Sequence, residues 1–184
     1  MACARVLFCI LMSLFTACGA CAALFPLMRR NETDALGRAV KREVSLWYIE
    51  SKYVIDKVHH YDRVYTRNSN CSELRVVSIL AAALNVVGCG LGTIASVLAA
   101  VHVCTRVKFH LCCTLMLLCF ITFAVFMASL GAVIYSFLSD ACVNDSVNYA
   151  YSYYRQDFKL TEGYILLCIA TGGFFFMTFL EICS

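Results

Sequence analysis

The chain has 184 residues, 61% of them hydrophobic and 15% charged, with 15 lysines and arginines against 12 acids and a formal net charge of +3. An ordinary soluble domain is roughly 25% charged, and a mean hydropathy of +0.76 exceeds what a soluble core of this size needs. So small a net charge gives no footprint for nucleic acid, which leaves a membrane protein whose first partner is the lipid bilayer.

A helix crossing about 30 Å of hydrocarbon takes about 20 apolar residues. The first window that qualifies runs from about Val6 to Met28. It also resembles a secretory signal, with Arg5 as charged start, Val6 to Ala17 as apolar middle and small residues from Cys18 to Ala23. A retained span is preferred over a cleaved one, because apolar residues continue through Leu24, Phe25 and Leu27.

A long loop, about 29–75, follows. It opens on the polar run Asn31-Glu32-Thr33-Asp34, after which Leu36, Val40 and Val44 recur at helical spacing and predict a short helical turn. From Val44 the residues turn β-branched and aromatic, in Val44 to Ile49, Tyr53 to Ile55 and Arg63 to Thr66, and predict two or three short strands over the membrane surface. His59 and His60 have no spaced partners for a metal.

The second window, about 76–104, carries a stripe of small residues, Ser78, Ala82, Asn85, Gly88, Gly92, Ala95 and Ala99, with a GxxxG at Gly88 and Gly92. Such a stripe means close helix approach, either to another span of this chain, the preferred reading, or to another copy. Asn85 is the one amide inside a span, expected as glue between helices rather than part of a polar path. After a short link the third window runs over about 111–137, so spans two and three form a tight hairpin. Cys104, Cys112 and Cys113 flank that link beside Arg106 and Lys108, where buried packing is preferred over S-acylation.

The third loop, about 138–162, is rich in tyrosine, with Tyr149, Tyr151, Tyr153 and Tyr154, then Phe158. It is expected to supply an interfacial aromatic belt and the core of a small cap, with a partner-binding surface as the alternative. The fourth window, about 163–183, carries Glu181 at its edge as a snorkelling or solvated acid. These spans and loops form a single membrane domain, 1–184, without internal repeats.

Four spans put the two large loops on one side and both termini on the other. Of 13 cysteines, most lie in apolar runs, where cysteine is a small hydrophobe. Only Cys71 and Cys142 fall in polar segments, one just before span two and one just after span three. The hairpin brings both to the same face, within reach of the Cα separation of about 5.5 Å that a bridge demands; a disulfide is expected, the alternative being free or intermolecular thiols. The sequons at Asn31, Asn70 and Asn144 fall in the same two loops and fit an outward placement. The positive-inside rule argues against it, since the long loop holds Arg29, Arg30, Arg38, Lys41, Arg42, Lys52, Lys57, Arg63, Arg67 and Arg75. The oxidising compartment that a disulfide needs argues for it. No phosphate loop or nucleophile elbow appears, so neither an enzyme nor a cofactor is expected.

The layout resembles that of the amastins, surface glycoproteins of kinetoplastid parasites with four spans and a cysteine-bearing first extracellular loop. Val44-Ser45-Leu46-Trp47 fits the centre of their first-loop signature, while Glu43 and Tyr53 stand at its two cysteine positions and Tyr48 at its glycine. Cys71-Ser72-Glu73-Leu74-Arg75, Tyr135, Cys142, Phe158-Lys159-Leu160 and Gly163-Tyr164 are similar to later family landmarks. The layout is also similar to that of claudins, which place a small β-sheet from the same two loops above four helices. The resemblance implies a mainly α four-helix membrane bundle with a small extracellular β-containing cap. It further implies a plasma-membrane glycoprotein with a structural, adhesive or lipid-organising role, acting with other copies or with a surface or host-membrane partner. A transporter- or channel-associated subunit is the alternative, and a wet interior at Asn85 would favour it.

Overall fold

The computed structural model describes residues 2–33, 37–55, 58–104, 110–143 and 147–183. Leu36, Arg106, Lys108 and Asn144 lie outside the described residues, as do the side chains of Cys104, Cys112 and Glu181. The described chain is mainly helical: α1 (Ala2–Leu24), α2 (Ser72–Cys104), α3 (His110–Leu138) and α4 (Glu162–Cys183) are each long and apolar enough to cross a membrane. Their outward faces carry exposed apolar side chains, such as Ile10, Ile94, Phe120 and Ile169. In water such a surface is a liability, and in lipid it is the solvated face. The chain is therefore a multi-pass membrane protein.

The helices pack as a ring, α1 against α2 and α4, and α3 against the same two. The fully buried Phe126 of α3 is the centre of that ring, stacked on Phe174 of α4 with ring centroids 5.6 Å apart. Room for it comes from Gly19 on α1 and Gly88 on α2, where an added Cβ would stand 2.6 Å and 2.9 Å from the Phe126 ring. One turn on, a Cβ on Gly92 would meet Thr16 Oγ1 at 2.7 Å and Phe174 at 2.9 Å. The GxxxG stripe of α2 thus receives side chains from α1, α3 and α4 of the same chain.

The first apolar window extends to Met28, but α1 stops at Leu24 and Met28 begins a strand. Pro26 lacks an amide and disfavours helical backbone at Phe25. The freed carbonyls are taken up across the molecule: Gly163 N and Thr161 Oγ1 donate to Pro26 O, and Thr161 N donates to Leu27 O. Gly163 is required there, because a Cβ would lie 2.7 Å from Phe25 O and 2.8 Å from Pro26 O.

The strands are β1 (Met28–Thr33), β2 (Ala39–Val44), β3 (Tyr48–Ile55) and β4 (Val58–Tyr65) from the long loop, and β5 (Lys159–Leu160) from the third. They form one antiparallel sheet in the order β4-β3-β2-β1-β5. The helical turn expected around Val40 and Val44 is a strand, β2, paired on both edges. The single strand expected over Val44 to Ile49 is instead a turn, in which Ser45 N and Ser45 Oγ both donate to Tyr48 O. Met28, Val44 and Ile49 share one row of the sheet, and Met28 and Val44 line a cleft with Ala81 and Ala132 of the helices. This inner face therefore rests on the ends of α2 and α3. One continuous core runs from Met12 and Phe174 through Leu27 and Val44 to Tyr153 and Phe158.

The helices are of unequal reach. Thr16 and Gly92 are level; from there α1 runs eight residues to Leu24, while α2 runs twenty back to Ser72. At about 1.5 Å per residue, those twelve extra residues carry the start of α2 about 18 Å beyond the end of α1.

Candidate functional site

Across the start of α2 and the end of α3, Cys71 and Cys142 form a disulfide with Cα atoms 5.9 Å apart. Cys142 sits at φ 54, left-handed backbone that non-glycine residues adopt at a cost. Glu73 holds it there: one carboxylate oxygen accepts from Cys142 N at 2.9 Å and the other from the Tyr135 hydroxyl. Asp140 braces the following loop, accepting from Ser152 N at 2.8 Å, Tyr149 OH at 2.8 Å and Arg155 Nη1 at 2.6 Å. The Ser152 amide first, then Tyr149, holds the Asp140 carboxyl below the usual range.

The outer face of the sheet carries a ladder of ion pairs that sequence reasoning missed. Arg29, Glu43, Glu50 and Arg63 stand side by side on β1 to β4. Glu43 binds Arg29 at 3.0 Å, Lys41 at 2.9 Å and Lys52 at 2.6 Å. Glu50 binds Lys52 at 3.0 Å and Arg63 at 2.7 Å, and Arg29 also reaches Glu162 at the start of α4 at 3.4 Å. The two central acids have side chains only 10% exposed, while the cations above them are 29–48% exposed. Burial of Glu43 opposes its ionisation, yet the bonds and charges of Lys52 and Lys41 outweigh it and hold the carboxyl at about 2. The Arg63 bond holds Glu50 down, against burial, and the Glu43 bond raises the Lys52 ammonium. On the inner face Glu32 binds Arg30 at 3.1 Å and Arg42 at 2.7 Å. Only the strand register shows these charges to be neighbours; along the chain they read as a basic loop.

Within the motif Val44-Ser45-Leu46-Trp47 the first three residues are buried and Trp47 is 42% exposed. The Ser45 hydroxyl also accepts from Trp47 N and Tyr48 N, so this segment builds the turn at the base of the sheet. Glu43 faces Glu50, and Tyr53 faces Val40; positions 43 and 53 are three registers apart on opposite faces, which is no place for a bridge between them. Asn31 and Asn70 are exposed. Asn85 is fully buried, with Oδ1 accepting from the Cys89 thiol at 3.8 Å and Nδ2 without a partner among the described residues. Among the described residues no cluster of His, Cys, Asp and Glu fit for a metal occurs.

No protein-family model matches the chain, and no curated protein matches it either.

Proposed function

We propose that the chain is an amastin-like membrane protein of the cell surface, with its sheet facing outside, acting through contact or by organising lipid rather than by catalysis. The observation that carries this reading is the Cys71–Cys142 disulfide, since such bonds form and persist in oxidising compartments. Six of the ten cations of the long loop, Arg29, Arg30, Lys41, Arg42, Lys52 and Arg63, are paired with acids of the same fold, so they serve the sheet's own structure. A claudin-like arrangement, a sheet from both large loops standing on four spans, fits the same role. Against a conducting subunit, Asn85 is fully buried and Gly88 lies against Phe126, which is a closely packed helix interface rather than a wet path.

The test is gel mobility of the carboxyl-terminally tagged protein, before and after glycosidase, in wild type and in a variant with Asn31, Asn70 and Asn144 all changed to Gln. A glycosidase shift in wild type that the variant loses supports the outward sheet. No shift, together with labelling of reduced Cys142 by a thiol reagent from the cytosolic side, inverts the topology and removes the surface role.

A further inference from the structure

The sheet ends on one side in β5, two residues that lead into α4, and on the other in β4. β4 has eight residues, all of them exposed, and pairs with β3 in one unbroken register from Tyr48↔Tyr65 to Ile55↔Val58. Natural sheets blunt an edge with short strands, lysine, proline, bulges or a covering segment. β5 is blunted by its length, whereas β4, with the sequence VHHYDRVY, carries no proline, lysine or bulge.

Thr66 N donates to Trp47 O, which makes 47 and 66 a hydrogen-bonded pair in register with the β3–β4 ladder. Such pairs alternate along an antiparallel ladder, so Ile49↔Val64, Ser51↔Asp62, Tyr53↔His60 and Ile55↔Val58 are the bonded ones. The backbone groups of Val58, His60, Asp62 and Val64 therefore point toward β3. Those of His59, Tyr61 and Arg63 point out of the sheet, and no described residue bonds them. Such a row is a template for a further strand.

The side chains select the strand that fits. A second copy of β4 pairs with the first about a two-fold axis through the edge, and opposite residues must share a face. One residue then meets its own counterpart. An axis at Asp62 or at Arg63 sets like charges opposite each other. An axis at His60 sets Val58 against Asp62 and leaves Val64 outside the pairing. An axis at Tyr61 sets Tyr61 against Tyr61, His60 against Asp62 twice and Val58 against Val64 twice. In that register Tyr61 bonds Tyr61 and His59 bonds Arg63, so the free backbone groups from 59 to 63 gain about six hydrogen bonds. Arg63 does not oppose His59, because Glu50 of its own sheet holds its guanidinium at 2.7 Å. Tyr61, Val58 and Val64, which are 64%, 56% and 51% exposed in a single copy, gain apolar or aromatic neighbours.

We propose that β4 is an interface at which two copies of this chain join edge to edge, antiparallel, with Tyr61 on the two-fold axis. The proposal names a partner for the contact role above and rests on that reading for its place in the cell. Its test needs only purified protein, whichever way the sheet faces.

The full chain in mild detergent is oxidised with copper phenanthroline and run on non-reducing gels, with wild type giving the background from its own cysteines. Tyr61→Cys is expected to give a reducible dimer, since its Cα lies about 5.5 Å from its counterpart, within reach of a bridge. Val58→Cys combined with Val64→Cys gives one too. Neither alone does, being about 20 Å from its counterpart, and nor does His60→Cys, about 7–8 Å away on the diagonal. Tyr61→Pro removes an outward N–H and no bond of its own ladder. Added to the Val58→Cys and Val64→Cys pair, it lowers the yield at dilute protein about thirtyfold, the loss of one ordinary hydrogen bond from each copy. Should the proline disturb the sheet, as read from Trp47 emission, Tyr61→Lys sets like charges on the axis and lowers the yield with the backbone intact. Background yield in both Tyr61→Cys and the double variant overturns the proposal. So does an equal yield from His60→Cys, the mark of random collision, or a yield that neither Tyr61→Pro nor Tyr61→Lys lowers. Crosslinks with a failed glycosidase test remove the surface role alone; no crosslinks with a passed one remove the interface alone.

Discussion

Glu43 is surrounded by Arg29, Lys41 and Lys52 and is 8% exposed, so its charge is a condition of the sheet. Its folded carboxyl titrates at about 2 against an ordinary 4.5. A depressed carboxyl stabilises the fold above its unfolded value and loses that contribution as the pH falls toward the folded one. The stability of the sheet therefore declines as pH drops from about 4.5 to about 2. Glu43→Gln removes the anion from between three cations and costs about 3 kcal/mol; its melting temperature at pH 7 falls, and the decline in acid becomes shallower than in wild type. Melting curves of both proteins across that range check it, and an equally steep decline in the variant would locate the acid sensitivity elsewhere. Gly173 poses a steric question instead. A Cβ there would stand 2.3 Å from Cγ of Phe15, the root of the ring, which a turn of the ring about Cβ–Cγ cannot move away. Gly173→Ala is expected to destabilise by about 1–3 kcal/mol, whereas Gly131→Ala, with nothing within 4 Å, is neutral or slightly stabilising. Thermal melts of the two variants separate packing from helix propensity.

At the scale of the element, α2 is the unusual one. Its 33 residues amount to about 50 Å, well beyond the hydrocarbon thickness, and the surplus lies on the sheet side. The start of α2 next to Asn70 thereby stands about 18 Å beyond the end of α1, while Asn31 is three residues along β1 from the buried Met28, about 10 Å. We expect Asn70→Gln to remove more of any glycosidase-sensitive shift than Asn31→Gln does; the reverse order would argue that α2 does not project. The helices were legible from length and hydropathy, to within a few residues at three of the four sequence-derived spans. The overrun to Met28 arose because hydropathy does not distinguish a helix end from an apolar strand start. β2 was misread for a different reason: Val40 and Val44 are four apart, which satisfies the helical period and the strand period alike. β1, with the sequence MRRNET, has little strand propensity, and its place is set by Glu43 and Arg42 across the ladder, which pair with its Arg29 and Glu32, partners that no local pattern displays.

The whole molecule is tied together where hydropathy would divide it. A reading by composition separates four lipid-facing helices from a polar cap, but the core passes without interruption from Phe126 and Phe174 through Leu27, Met28 and Val44 to Tyr153 and Phe158. Three further ties cross the same boundary: the Cys71–Cys142 bridge, Glu73 with Tyr135 and Cys142, and Gly163 with Pro26. A shared core means that neither part loses its packing without exposing the other, so sheet and bundle are expected to unfold as one unit. The chain offers separate reporters for the two parts. Its single tryptophan, Trp47, lies on the β2–β3 turn of the sheet, and the far-ultraviolet circular dichroism is dominated by the helices. In mild detergent at neutral pH the thermal midpoints from tryptophan emission and from ellipticity should coincide. In Cys71→Ser both should fall together, because the bridge closes the segment of α2 and α3 on whose ends the sheet rests. A tryptophan transition well below the helical one in wild type would instead make the sheet an independently folding unit.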